Sequence, residues 1–134
     1  MSAPNYLHDG IRVRVPAGDT ITAGQMVKIS SGVAVPVAAG DGLFGVAANN
    51  AVAGGDVIVH RYGVFRFGVA EGATIDYGTV VFAASASTVT HASEEGNTSV
   101  GVVVDFYSGT EVWVQITPAD LTAVTIPVSE GGGS

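Results

Sequence analysis

A chain of 134 residues has room for one domain with a sizeable core. Only 13% of its residues are charged while 47% are hydrophobic and nineteen are glycine, a surface poor in charge and suited to burial against partners. The net charge of −7 is uneven: all five basic residues (Arg12, Arg14, Lys28, Arg61, Arg66) precede position 67, and residues 67–134 carry acids alone, which argues against nucleic acid as a partner.

In chain order, residues 1–10 are polar, contain Pro4 and Gly10, and read as a flexible arm. Ile11-Arg-Val-Arg-Val15 alternates cleanly, turning Ile11, Val13 and Val15 inward and Arg12 and Arg14 outward, until Pro16 stops it. Strands follow near 26–30 and 33–37, separated by the Ser30-Ser31-Gly32 turn, and near 43–48. Asp56–Tyr62 is a longer strand, broken or bulged at Gly63 and resuming as Val64–Phe67. Further strands fall near 79–84, 87–91, 100–107 and 111–117. Helical periodicity is nearly absent, with one short candidate at Pro118–Leu121.

The parts are thus an arm over 1–10, a β domain over 11–117 and a tail over 118–134. The tail ends in Gly131-Gly-Gly-Ser134, which reads as an appended linker or a natural flexible end. The N-terminus lacks the basic region and apolar core of a signal peptide, and no apolar run reaches the roughly 18–20 residues that span a membrane. The expectation is a soluble protein made in the cytoplasm.

One pattern is written twice. Gly18, Thr20, Ile21, Gly24 and Val27 find identical residues 54 positions later, at Gly72, Thr74, Ile75, Gly78 and Val81. Leu43-Phe-Gly-Val46 then matches Ser99-Val-Gly-Val102, and Gly55-Asp-Val-Ile-Val59 matches Thr110-Glu-Val-Trp-Val114. The β-branched pairs Thr20-Ile21 and Thr74-Ile75 favour extended backbone, and Gly24 and Gly78 allow a tight turn before the next strand. Two copies are too few for a solenoid, so they are expected to close on each other as halves of one barrel or sandwich. The fold class is all-β: a single barrel or sandwich domain, β-tulip-like, with two quasi-repeated halves and a flexible N-terminal arm.

Chemistry-bearing motifs are missing. There is no G-x-S-x-G elbow, Walker loop, G-x-G-x-x-G or H-E-x-x-H. Without cysteine there are no disulfides, no thiolate nucleophile and no thiolate metal site. His8, His60 and His91 are scattered, and Glu94-Glu95 reads as a solvated turn. No catalytic, cofactor or metal residue is expected. Apolar residues on outward positions remain: if Val57, Val59, Val112, Val114 and Ile116 face the core, Ile58 and Trp113 face away. The same parity puts Val102, Val104 and Phe106 inside, and Val103, Asp105 and Tyr107 outside. Ile58, Tyr107 and Trp113 are therefore the candidates for a subunit interface.

The opening Asn5-Tyr-Leu-His-Asp-Gly10, Pro16-Ala-Gly18, Leu43-Phe-Gly-Val-Ala47, Gly54-Gly-Asp-Val-Ile-Val59, Gly63-Val-Phe65 and Gly96-Asn-Thr-Ser-Val-Gly-Val102 form an ordered set. In this set the chain resembles the capsid-cement, or head-decoration, proteins of tailed bacteriophages, over roughly residues 5–116. The resemblance implies a non-enzymatic all-β protein on the outer surface of the expanded virion capsid. Its partners would be the major capsid protein and itself, as a homotrimer, with neither nucleic acid nor membrane involved and no cofactor. It also implies binding through the N-terminal arm, here Ser2–Asp9. Pro4, Asn5, Tyr6 and Leu7 are then the capsid-binding candidates, with Arg12 and Arg14 on the adjoining strand. The acidic second half and the tail beyond Thr117 depart from the family.

Two other readings compete. Gly18-Asp-x-Ile-x-x-Gly-Gln25 resembles a turn of the biotinyl or lipoyl carrier fold, but that carrier needs a lysine at a hairpin tip and Lys28 falls inside a predicted strand. A polysaccharide-acting enzyme would need paired carboxylates in an aromatic-lined groove.

Overall fold

Valine-rich alternation punctuated by glycine gives ten strands among residues 12–119, the part of the chain described by the computed structural model. They are β1 Arg12–Pro16, β2 Met26–Ser30, β3 Val33–Pro36, β4 Gly45–Ala47, β5 Asp56–His60, β6 Val64–Val69, β7 Val80–Ala83, β8 Thr88–Thr90, β9 Ser99–Phe106 and β10 Glu111–Ile116. They build two five-stranded sheets. The first has the order β1-β5-β4-β2-β3, and the second closes into a barrel, β9-β10-β6-β8-β7.

Read around from β6, the barrel runs β6-β10-β9-β7-β8, which is the first sheet's order with every strand advanced by five. Matching turns hold the matching strands. The Gly24 N–H donates to the Ala47 carbonyl at 2.8 Å, and the Gly78 N–H to the Val103 carbonyl at 2.8 Å. Both glycines sit at positive φ, 93° and 81°, where an L-residue is strained. Gly45 and Gly101 correspond as well. A Cβ at Gly45 would overlap the His60 carbonyl oxygen, and one at Gly101 the Gln115 carbonyl oxygen, so each glycine lets its strand lie close to its neighbour.

The closures differ. In the barrel, β6 and β8 pair in parallel through Gly68↔Thr88 and Val69↔Val89. In the first sheet that place is taken by one isolated parallel bridge, Ala17↔Ala34, beside a Gly18 N–H donated to the Ala34 carbonyl at 2.8 Å. Of the expected barrel or sandwich, the structure has two five-stranded sheets, and strands β6–β10 close into a barrel by themselves. Val69 and Val89 stand at the barrel's closing pair where Ala17 and Ala34 stand in the first sheet.

Two apolar clusters follow. Ala17, Ile21, Val27, Ala34, Ala47, Val57 and Val59 fill the first sheet's inner side. Phe67, Val81, Val89, Val103, Val112 and Val114 fill the barrel, and this cluster also takes in Met26 and Val46 from the first sheet and Val37 and Leu43 from the loop between its strands β3 and β4. These four side chains join the two halves, with full burial of each worth roughly 1.5–3 kcal/mol. The Met26 N–H donates to the Ala86 carbonyl (2.8 Å) and the Gly40 N–H to the Ala83 carbonyl (2.9 Å) across the same junction.

The inward residues of β5 and β10 are as expected: Val57, Val59, Val112, Val114 and Ile116 are buried. In β9 the expected parity fails. Val103 is buried opposite Val114, while Val104 and Phe106 are 41% and 38% exposed. A register shift between Val103 and Asp105 inserts one residue, and strict alternation cannot pass through a bulge. The short helix candidate at Pro118–Leu121 extends beyond the described residues.

Candidate binding surface

The expected interface residues divide between the two sheets. Trp113 lies on the outer side of β10 opposite Arg66 of β6, and Ile58 lies on β5 opposite Arg14 of β1, the counterpart position. Trp113 and Ile58 are half-buried and Tyr107 is 55% exposed. Tyr107 and Trp113 meet edge to face with centroids 6.2 Å apart. The Arg66 guanidinium carbon stands 4.1 Å from the Tyr107 ring centre and 5.9 Å from that of Trp113. Its Nε also lies 3.3 Å from Glu111 Oε1, so one cation is shared among two rings and a carboxylate. The sequence patterning pointed to Tyr107 and Trp113 but not to Arg66, the residue that organises them.

Other apolar side chains of the same half are exposed as well. Val64, Val80 and Val104 are 47%, 49% and 41% exposed, and Tyr77 packs edge to face on Phe106 at 5.0 Å. The repeat already held the signal for Val80, which occupies the place of Met26 in the other copy, but only the structure shows that Met26 is covered and Val80 is not.

Arg12 and Arg14 point outward from β1, as their alternation requires. Arg14 Nη1 lies 3.8 Å from Asp56 Oδ2 between two well-exposed side chains, a pair worth about 0–1 kcal/mol. Pro4, Asn5, Tyr6 and Leu7 lie outside the described residues.

Lys28 is within β2, not at a hairpin tip, and its Nζ donates to Asp41 Oδ2 at 2.7 Å. That bond, foremost, holds the Asp41 carboxyl below its ordinary value. A lysine so engaged is a poor carrier of a swinging prosthetic group. The His60 ring stacks 5.5 Å from Phe65, the His91 Nδ1 accepts the Thr74 N–H at 3.0 Å, and Glu94 and Glu95 are exposed. Among the described residues, no three His, Asp or Glu side chains gather to hold a metal ion.

Across residues 7–117 the sequence matches a family described as phage cement protein. Among solved structures, the chain is similar to the crystal structure of the head fiber gp8.5 N base in bacteriophage phi29. The two share 17% identity at a TM-score of 0.57, over 80% of this chain and 93% of that one, a likeness of fold. No curated protein matches the chain.

Proposed function

Because this chain belongs to the phage cement protein family, a family of structural virion proteins, we propose that it decorates the outside of the expanded head and stabilises it by bridging major capsid subunits. The family match over residues 7–117 carries this reading. In the same reading the protein is a homotrimer, made in the host cytoplasm, whose interface includes Tyr107, Trp113 and Ile58. The apolar side of the barrel, uncovered by the described residues, supports self-association, since such patches mark interaction sites.

The finer architecture belongs to the same proposal. Residues 11–117 are one β-tulip-like domain of two quasi-repeated halves, supported by the shared strand order, between an arm at 1–10 and a tail at 118–134. The arm is the attachment device: Pro4, Asn5, Tyr6 and Leu7 bind the capsid, and Arg12 and Arg14 orient them toward acidic groups. Burial of a leucine-sized anchor is worth roughly 1.5–3 kcal/mol, and three arms acting together multiply the effect through effective concentration.

The test mixes purified protein with expanded and unexpanded shells and counts bound copies. Binding is expected to expanded shells, and is expected to be lost on deleting residues 2–9. It should fall less in Arg12→Ala/Arg14→Ala, because exposed pairs contribute about 0–1 kcal/mol each. A folded deletion variant that binds as tightly as the parent removes the arm from the reading, and a parent that ignores both shells removes the reading itself.

A further inference from the structure

The shared strand order allows each place on one sheet to be compared with its counterpart on the other. Across the outer side of the first sheet, cross-strand partners form the row Arg12, His60, Val46, Met26. Across the barrel, the counterpart row is Val64, Gln115, Val102, Val80. The Val46–Met26 end of the first row is covered within the molecule, while Arg12 at the other end is exposed. Val46 and Met26 are 1% and 0% exposed, both pack into the barrel's cluster, and the Met26 N–H reaches Ala86 in the turn after β7. The second row is not covered by the described residues: Val80 and Val64 remain 49% and 47% exposed.

We infer that the row Val64, Gln115, Val102, Val80 is a docking surface for a second copy of this chain, which meets it with the hairpin joining its β2 and β3. The internal junction names that element. Among the residues packed with the buried end of the first row are Ala83 and Ala86, and the counterpart of that stretch 54 positions earlier is Ile29 to Gly32. Ala83 is 2% exposed at the internal junction, whereas Ile29 is 39% exposed on a hairpin whose Ser30, Ser31 and Gly32 all face solvent. Among the described residues the chain therefore carries both an exposed row and an exposed counterpart of a stretch that packs against the buried end of the matching row.

The contact requires no buried charge. The polar member of the row is Gln115, the hairpin tip is Ser30-Ser31-Gly32, and the neighbouring Lys28 is already paired with Asp41. Because row and hairpin lie in different sheets, the contact is head-to-tail, the kind that closes a ring or extends a filament. The inference rests on the self-association in the proposed function but not on capsid binding.

The absence of cysteine makes the test direct. Val80→Cys and Ile29→Cys are prepared as separate variants, distinguishable by mass, then mixed and oxidised in solution and with expanded shells present. The expected product is the mixed dimer linking the two variants, in clear excess over either homodimer and over pairings with a Val52→Cys control at a 64% exposed site. A third variant, Val80→Glu, is expected to weaken self-association about tenfold or more, measured by sedimentation. Predominant homodimers of Val80→Cys overturn the inference, since the row then meets itself. Cross-linking no stronger than the control also overturns it, including when shells protect the row, since its occupant is then a capsid protein. Shell binding by Val80→Glu, without the mixed cross-link between the cysteine variants, removes this inference and leaves the capsid reading standing. The mixed dimer without any shell binding does the reverse.

Discussion

Replacing Gly101 with alanine places a methyl group where β9 and β10 come closest. The new Cβ would overlap the Gln115 carbonyl oxygen and lie 2.7 Å from Val114 Cγ1. A side chain can rotate away, but a carbonyl within a strand pair cannot, so the strands must part. Overpacking typically costs about 1–3 kcal/mol, and a backbone obstacle puts Gly101→Ala near the upper end. Against a total stability of roughly 5–15 kcal/mol that is a large share. It corresponds to a melting temperature lower by roughly 10 °C for a chain of this size. Gly45→Ala meets the His60 carbonyl and the Val59 side chain in the same way, so its cost should agree to within about 1 kcal/mol. Gly109 is the control: a Cβ there meets nothing within 4 Å, and alanine should change stability by less than about 0.5 kcal/mol. Urea unfolding, followed by circular dichroism and by the fluorescence of the single Trp113, measures all three variants. Parent-like midpoints for both Gly45→Ala and Gly101→Ala would refute the close-contact reasoning. Damage at only one site would refute the equivalence of the two sheets there.

Arg66→Ala should destabilise the protein by about 1 kcal/mol, through loss of the ring contacts and of Glu111, and should shift Trp113 emission to the red. Arg66→Lys should recover only part of this, since an ammonium does not stack as a planar guanidinium does; full recovery would discount the stacking. The Lys28–Asp41 pair gives a pH signature. The folded carboxyl titrates below its unfolded value, so its contribution is present above about pH 3.9 and is lost as pH falls through the lower folded value. Asp41→Asn should therefore be less stable than the parent at pH 7 and converge on it in acid, read from denaturation midpoints across that range. A gap that persists in acid would assign the effect to something other than the carboxylate.

Strand positions were legible because each strand writes a local signal: alternation in Ile11–Val15 and Asp56–His60, with glycine at the turns. The counterpart glycines at 45 and 101 were legible from the repeat, although the carbonyl each one accommodates was not. Parity failed in β9 because the bulge near Val104 leaves no mark in a run of three valines. The closure of the barrel by β6 and β8 depends on a pairing between distant residues, which no local pattern encodes. At the candidate surface, alternation turned Trp113 outward, opposite Arg66. It was silent on Arg66, whose role arises only when Trp113 is set opposite it and Tyr107 reaches back over both.

The single bridge between Ala17 and Ala34 gives the chain a soft end and a hard end. Alanines at 17, 34 and 47 stand where the barrel has valines at 69, 89 and 103, and each missing methylene-sized group removes about 0.8 kcal/mol of burial. The seam with the least holding it belongs to the sheet containing β1, the strand into which the first eleven residues lead. Local opening is therefore expected to begin in the first sheet, whose amides should exchange with solvent before those of the closed barrel.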